Sequence, residues 1–226
     1  MEDPACPPAT LVYIASIPDR QLRERIARHP ACPPELLRTL AVGNSWAVRQ
    51  QVAEHPACPA DTLLRLGRDS SEAVRIAVAA SAKCPLELFE SFGWDKQYDV
   101  ARAALSNSRC PPEVLTTAAS HPDLYTRQVV ARHPRCPAET LSQLARDPSY
   151  AVAAFAVSNP ACLPQALEQA STHSRETVRW SVAGNESCPA EVLQRLMQDP
   201  HPQVARTAAD NPKLPAHLRA MWQLAH

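Results

Sequence analysis

Apolar side chains recur along this chain in a unit of 26 residues that repeats without insertion. We number each unit from its first residue, so that the first unit runs from residue 6 to residue 31. Mostly large apolar residues stand at positions 6 and 9 and again at positions 17 and 21. Spacings of three and four residues place side chains on one face of a helix. The pattern therefore predicts two helices per unit, at about positions 2–11 and 13–23, each with one buried face.

Each unit begins with a cysteine, and a ninth unit begins with leucine instead. A fixed period of this length is typical of solenoids, in which stacked neighbours bury the faces of helices too short to be stable alone. We expect one all-α domain over residues 1–226, a helical solenoid of about eight 26-residue repeats and a terminal half repeat. The repeats start at Cys6, Cys32, Cys58, Cys84, Cys110, Cys136, Cys162 and Cys188, and the half repeat starts at Leu214.

Prolines and polar residues mark the ends of the predicted helices. Pro at position 2 suits the first turn of a helix, where its missing N–H is no loss, and the helix dipole favours the acidic residue that often follows at position 4. Position 24 carries His, Asn or Ser, often before Pro, and is expected to cap the turn through the local backbone. The aspartates at position 12 are predicted to be N-caps of the second helix. They are Asp69, Asp95, Asp147 and Asp199.

Between units the chain reads V-R-x-x-V-A-x-H/N-P-x-C-P-x-E-x-L-x-x-L, most clearly over 48–66 and 126–144. This motif resembles the variant leucine-rich repeat family across essentially the whole chain. The resemblance implies a right-handed superhelix in which an α-helix alternates with a shorter, partly 3-10 helix formed by the Pro-rich segment, and it implies no enzyme activity. HEAT-type repeats are the nearest alternative, since they share an Asp…Val-Arg pattern such as Asp69…Val74-Arg75. Nothing here matches the Cys-rich iron–sulfur segment of one family member, so no cofactor is expected.

The balance of charged residues argues against a nucleic acid or an anionic membrane as the partner. Lys plus Arg and Asp plus Glu number 23 each, so the net charge is zero. A dedicated binder of nucleic acid or of an anionic membrane normally shows a basic excess. No apolar run is long enough to span a bilayer, and the first residues lack the pattern of a secretory signal. We expect a soluble, cytoplasmic protein.

The regular cysteines are expected to be buried core residues and not ligands. Equivalent residues of stacked helices lie about 8–10 Å apart, whereas a disulfide needs Cα atoms within about 7 Å. One cysteine per repeat also cannot surround a tetrahedral metal ion. Leu214 shows that the same slot accepts a hydrophobic side chain. A thiol redox or metal-responsive role remains the third functional hypothesis.

Arginine recurs at position 18, directly after a buried apolar residue. One interpretation is a ladder of salt bridges to the position-12 aspartates, within or between repeats. The other is a basic stripe that binds the phosphates of DNA or RNA, although zero net charge provides no long-range attraction. The arginines are Arg23, Arg49, Arg75, Arg127 and Arg179.

Large residues also occur at positions 15, 16 and 19 of the second helix, where the repeats differ from one another. Trp and Tyr dominate the binding energy of protein interfaces, so an exposed row of them predicts a binding surface, expected on the concave side. No Gly-rich phosphate loop, H-E-x-x-H or G-x-S-x-G motif is present. The leading hypothesis is a non-catalytic scaffold that binds a protein or peptide here, with nucleic-acid binding as the main alternative. The candidate residues are Trp46, Ile76, Tyr98, Tyr125, Tyr150 and Trp180.

Overall fold

The computed structural model describes residues 7–225, and within that range every regular element is a helix. The chain divides into two compact units, with the division between Pro111 and Pro112 in the sequence. In both units a short helix alternates with a longer one, as the two apolar spacings predict. The all-α helical solenoid is confirmed, while the single domain over residues 1–226 stays a prediction.

The first unit contains four helix pairs. They are α1 (Pro8–Ala15), α2 (Arg20–Arg28), α3 (Pro34–Leu40), α4 (Trp46–Glu54), α5 (Ala60–Leu66), α6 (Glu72–Ala80), a 3-10 turn (Leu86–Leu88) followed by α7 (Phe89–Gly93), and α8 (Tyr98–Leu105).

The second unit contains four more pairs and a last helix. They are α9 (Pro112–Ala118), α10 (Leu124–Arg132), α11 (Ala138–Leu144), α12 (Tyr150–Ser158), α13 (Pro164–Ala170), α14 (Glu176–Gly184), α15 (Ala190–Leu196), α16 (Pro202–Asp210) and α17 (Ala216–Ala225).

Both helices of a repeat are shorter than predicted. In the repeat that starts at Cys32, α3 covers positions 3–9 and α4 covers positions 15–23. The expected 3-10 character occurs at Leu86–Leu88, and the short helices of the other described repeats are α-helical. A long helix typically ends at position 23, and the extended backbone of the capping residue at position 24 turns the chain toward the next repeat.

The prediction that the position-12 aspartates cap the long helices is wrong. The N-caps lie two residues later, at position 14, for example Ser45 of α4 and Asp123 of α10, whose side chain accepts from the N–H of Thr126 at 2.7 Å. Asp69 instead accepts from the N–H of Ser71 at 2.9 Å, within the turn that precedes α6. Asp was an equally good local candidate at either position, so helix-capping preference alone could not choose between them.

The core lies between the two helix layers of each unit. Long helices pack on the long helices of adjacent repeats, α2 to α8 in sequence in the first unit and α10 to α16 in the second. Each short helix packs on the long helices next to it in the chain. The apolar positions predicted from the spacing are buried, as Leu37, Leu40, Val48 and Val52 show for one repeat.

Seven cysteines lie in this core, and Cys6 falls outside the described residues. All seven are buried and free of disulfides, and Leu214 is equally buried in the same slot. Burial raises the pKa of the Cys58 thiol to about 11 and that of the Cys188 thiol to about 12. Because the thiolate is the reactive form, these thiols are held in their inert state. The prediction of core cysteines is confirmed for these seven.

Candidate binding surface

Each unit carries at least one large side chain per repeat on the side of its long helices that faces away from the core, over three successive repeats. In the first unit Trp46 is 53% exposed and Tyr98 is 40% exposed, with the half-buried Ile76 between them in sequence. In the second unit Tyr125, Tyr150 and Trp180 are 58%, 48% and 46% exposed. We call Trp46, Ile76 and Tyr98 the first aromatic face and Tyr125, Tyr150 and Trp180 the second aromatic face.

Helix geometry explains why these side chains point outward. Trp46, Tyr98 and Tyr150 are the first residues of α4, α8 and α12, and Trp180 lies one turn into α14. Positions 15 and 19 are four residues apart and therefore share a face. The buried residues at positions 17 and 21 occupy the opposite face, as Val178 and Val182 do in α14. An aromatic side chain at position 15 or 19 is thus excluded from the core of its own repeat.

Two rings of the second aromatic face are held by the following repeat. The indole Nε1 of Trp180 donates to the hydroxyl of Thr207 at 2.9 Å. The guanidinium of Arg175 lies 5.4 Å from the centre of the Tyr150 ring, within the range of a cation–π interaction. Rings that are exposed but already oriented lose little conformational freedom when they bind a partner.

The position-18 arginines form a ladder of ion pairs with the aspartates of the next repeat. Nε and Nη2 of Arg49 donate to the two carboxylate oxygens of Asp69 at 2.6 and 2.9 Å. Nη1 of the same residue donates to the carbonyl of Gly43, at position 12 of its own repeat, at 2.8 Å. The same arrangement recurs three more times. The further pairs are Arg75 with Asp95, Arg127 with Asp147, and Arg179 with Asp199.

This ladder of ion pairs, called the charge ladder below, is largely buried, and the pKa values of several of its carboxyl groups are lowered. The side chains of Arg179 and Asp199 are only 14% and 5% exposed. Hydrogen bonds from Arg179 hold the pKa of the Asp199 carboxyl below its usual value against the opposing effect of burial. Burial alone would raise the pKa of Asp69, but hydrogen bonds from Arg49 and the N–H of Ser71 bring it below the usual value.

Four of the five arginines in the predicted basic stripe for nucleic-acid binding are not available for phosphates. That stripe required solvent-facing, unpaired arginines, whereas Arg49, Arg75, Arg127 and Arg179 each bind an aspartate bidentately and are mostly buried. Four of its five arginines are therefore structural cross-links between repeats. Arg23, the remaining one, has no carboxylate partner among the described residues.

The side chains at position 24 form a second ladder, of hydrogen bonds between adjacent repeats. The sequence pattern predicted only their local capping role. Nδ2 of Asn185 donates to the carbonyls of Val157 and Asn159 in the preceding repeat at 2.7 and 3.0 Å. Its Oδ1 accepts from the N–H of Ser187 at 2.7 Å, which is the local cap that the sequence predicts. Asn107, Asn159 and Asn211 repeat this geometry.

Residues 7–225 contain neither a metal-binding cluster nor a membrane-spanning helix. No group of three or more His, Cys, Asp and Glu side chains is arranged to hold a metal ion. No helix there combines the length and apolar character needed to cross a membrane.

Comparison with known proteins agrees with the repeat unit described above. A family model described as leucine rich repeat variant matches residues 46–71 and 126–149. A second, described as leucine rich repeat variant domain, matches residues 1–50. No curated protein matches the chain.

Among solved structures, the chain is similar to a leucine-rich repeat variant described as having a novel repetitive structural motif. That match has 28% sequence identity and a TM-score of 0.71, and it covers 89% of this chain and 80% of the other. Weaker similarities are to an engineered protein (16% identity, TM-score 0.37, covering 95% and 67%) and to a designed armadillo repeat protein (17% identity, TM-score 0.33, covering 89% and 96%). Both family models and the solved leucine-rich repeat variant structure therefore relate this chain to the leucine-rich repeat variant family.

Proposed function

We propose that this protein is a non-catalytic scaffold that binds a protein or peptide through the aromatic faces of its long helices. The observation that carries the proposal is the row of large side chains on the long helices, of which Trp46 and Tyr98 in the first unit and all three rings of the second aromatic face are exposed, while Ile76 is half-buried. Exposed rings at recurring positions are costly for solubility unless a partner covers them. Trp and Tyr are also the residues that contribute most to interface energy.

The close packing of long helix on long helix supports a binding role for this side of each unit. In helical solenoids the more closely spaced layer lies on the inside of the curve, which is the surface such proteins use for binding. We infer that each aromatic face lies on the concave side of its own unit.

The spacing of the rings suggests the form of the partner. Successive long helices pack about 8–10 Å apart. A polyproline II segment rises about 3.1 Å per residue with about three residues per turn, so its side chains return to one side roughly every 9 Å. The partner we propose is therefore an extended segment with a large apolar side chain at every third position.

Peptide display tests this partner directly. Random peptides of about 12 residues selected on the whole protein are expected to share apolar residues at positions i, i+3 and i+6, in register with the rings. Enrichment of a helical i, i+4 pattern or of a purely basic or acidic motif would contradict the proposal, as would failure to enrich any sequence.

Substitutions then locate the contact. We expect Trp46→Ala with Tyr98→Ala to weaken binding of the selected peptide to the first aromatic face about tenfold or more by isothermal titration calorimetry, and Tyr150→Ala with Trp180→Ala to do the same at the second aromatic face. The matched control is Tyr13→Ala with Trp94→Ala, which removes rings that are 75% and 47% exposed but lie off both faces. Equal losses in the control and in the face variants would show that the contact is not where we place it.

The two alternative functions have less support. Nucleic-acid binding needs free cations, but four of the five candidate arginines are paired with aspartates. Thiol chemistry needs accessible thiolates, but the seven described cysteines are buried.

A further inference from the structure

The charge ladder lacks one acidic partner, at the start of the described chain. Arg23 occupies the same position 18 as the four paired arginines, but the residue 20 places later is Gly43 instead of an aspartate. Its side chain makes one bond within residues 7–225, from Nε to the carbonyl of Ala15 at 3.3 Å. The rest of its guanidinium has no carboxylate to bind there.

A second group at this place also lacks its acceptor. In the other repeats the position-12 aspartate accepts from a backbone N–H two residues on, as Asp69 does from Ser71 and Asp199 does from His201, both at 2.9 Å. With glycine at position 43, the N–H of Ser45 has no acceptor among the described residues. Within the described part of the chain, the guanidinium of Arg23 and the N–H of Ser45 thus both lack an acceptor of the kind that a position-12 aspartate provides in four other repeats.

These donors line an open cavity. It has a volume of about 610 Å³, within the usual range for small-molecule pockets. Its apolar wall includes Leu36, Leu40 and Val48, and among residues 7–225 its lining includes Arg23 and no Asp or Glu. The cavity therefore combines an apolar wall with an unneutralised guanidinium.

We propose that this cavity binds a small organic carboxylate with an apolar body. The carboxylate takes the place of the missing aspartate, accepting from the guanidinium of Arg23 and from the N–H of Ser45, while the apolar body packs against Leu36, Leu40 and Val48. A bidentate guanidinium–carboxylate pair in a partly desolvated site is the strong form of this interaction. None of the residues that line the cavity belongs to either aromatic face.

Isovalerate is a suitable probe, because it carries one carboxylate on a short branched apolar chain. Titrated into ¹⁵N-labelled protein, it is expected to shift the backbone amide signals of Gly43 and Ser45 saturably. Isovaleramide, the neutral analogue of the same shape, is expected to bind about tenfold more weakly or worse. Equal affinity for the amide, or no saturable shift with isovalerate, would overturn the proposal.

Variants of the two key positions complete the test. Arg23→Gln should reduce isovalerate affinity about tenfold or more with little change in the spectrum of the rest of the chain. Gly43→Asp supplies the carboxylate from the chain itself and should both block isovalerate and raise the melting temperature. Gly43 has no positive φ, but an added Cβ would lie 3.3 Å from the carbonyl oxygen of Leu40, close enough that this backbone group must shift by a few tenths of an ångström. We expect the new ion pair with Arg23 to outweigh that cost.

The matched control for the added charge is Gly43→Asn, which fills the same space without it. We expect this variant to give a smaller rise in melting temperature than Gly43→Asp. Undiminished isovalerate binding by Arg23→Gln or by Gly43→Asp would contradict the site, whatever the variants do to stability.

Discussion

At the scale of single residues, the length and donors of the position-24 side chain decide how firmly a repeat is tied to the one before it. Asn reaches back to two carbonyls with one amide, as Asn211 does to Ala183 and Asn185. His55 reaches only one carbonyl of the preceding repeat, that of His29, which lies 3.0 Å from its Nε2. Ser81 makes only the local bond from the N–H of Lys83. The periodic pattern showed that this position is polar, but its partners are 26 and 28 residues away and could not be predicted from local capping rules.

Exchanging these residues should change stability in opposite directions. Asn185→Ala leaves two carbonyls and one N–H without their partner and should lower the free energy of unfolding by about 2 kcal/mol. Ser81→Asn should raise it by about 1 kcal/mol, because the new amide can reach the carbonyls of Ala53 and His55. Urea unfolding followed by circular dichroism measures both changes.

The control for the stabilising substitution is Ser81→Asp. It has nearly the same shape as Ser81→Asn but no N–H donor for the two carbonyls. If the two variants are equally stable, the gain does not come from the inter-repeat bonds.

At the scale of helices, ion pairs between repeats fix how one long helix sits beside the turn that precedes the next. The arginine stands near the start of one long helix, and its aspartate precedes the following long helix by three residues, as with Arg179 of α14 and Asp199 ahead of α16. The sequence pattern showed both residue types in register but left open whether the pairs form within or between repeats. It also misplaced the aspartates as N-caps, because the tertiary partner of a side chain is not visible in helix-capping preference.

Removing one arginine of this ladder should be costly at neutral pH. Arg179→Met leaves the carboxylate of Asp199 buried without its main partner and should lower the free energy of unfolding by about 3 kcal/mol at pH 7. The exposed Arg206, whose pair with Asp210 spans 3.9 Å, provides the comparison. Arg206→Met should cost about 0.5 kcal/mol or less.

The cost of Arg179→Met should also depend on pH. The folded pKa of Asp199 lies below its unfolded value of about 3.9, so the ion pair contributes fully above that pH and its contribution is lost as the pH falls further. The difference in stability between wild type and Arg179→Met should therefore shrink as the pH is lowered below about 4. A difference that stays constant over this range would mean that the pair is not what the substitution removes.

At the scale of the whole molecule, one repeated unit explains both the fold and the placement of the candidate surface. The period of the apolar residues predicted the helical repeats, the core positions and the slot that buries cysteine, because burial follows directly from side-chain spacing. Exposure of Trp46 and Trp180 followed from the same argument, since they stand off the apolar stripe. The lack of a carboxylate partner for Arg23 among residues 7–225 could not be predicted, because it depends on which aspartate each arginine binds.

The indole N–H signals of the four tryptophans test the central claim most directly. Trp46 and Trp180 lie on the aromatic faces, whereas Trp94 and Trp222 lie off them, so each signal reports on a known place in the protein. In a ¹H–¹⁵N spectrum recorded during titration with the selected peptide, we expect the signals of Trp46 and Trp180 to shift saturably while the other two stay in place. Shifts confined to Trp94 or Trp222 would place the partner elsewhere and contradict the proposed binding surface.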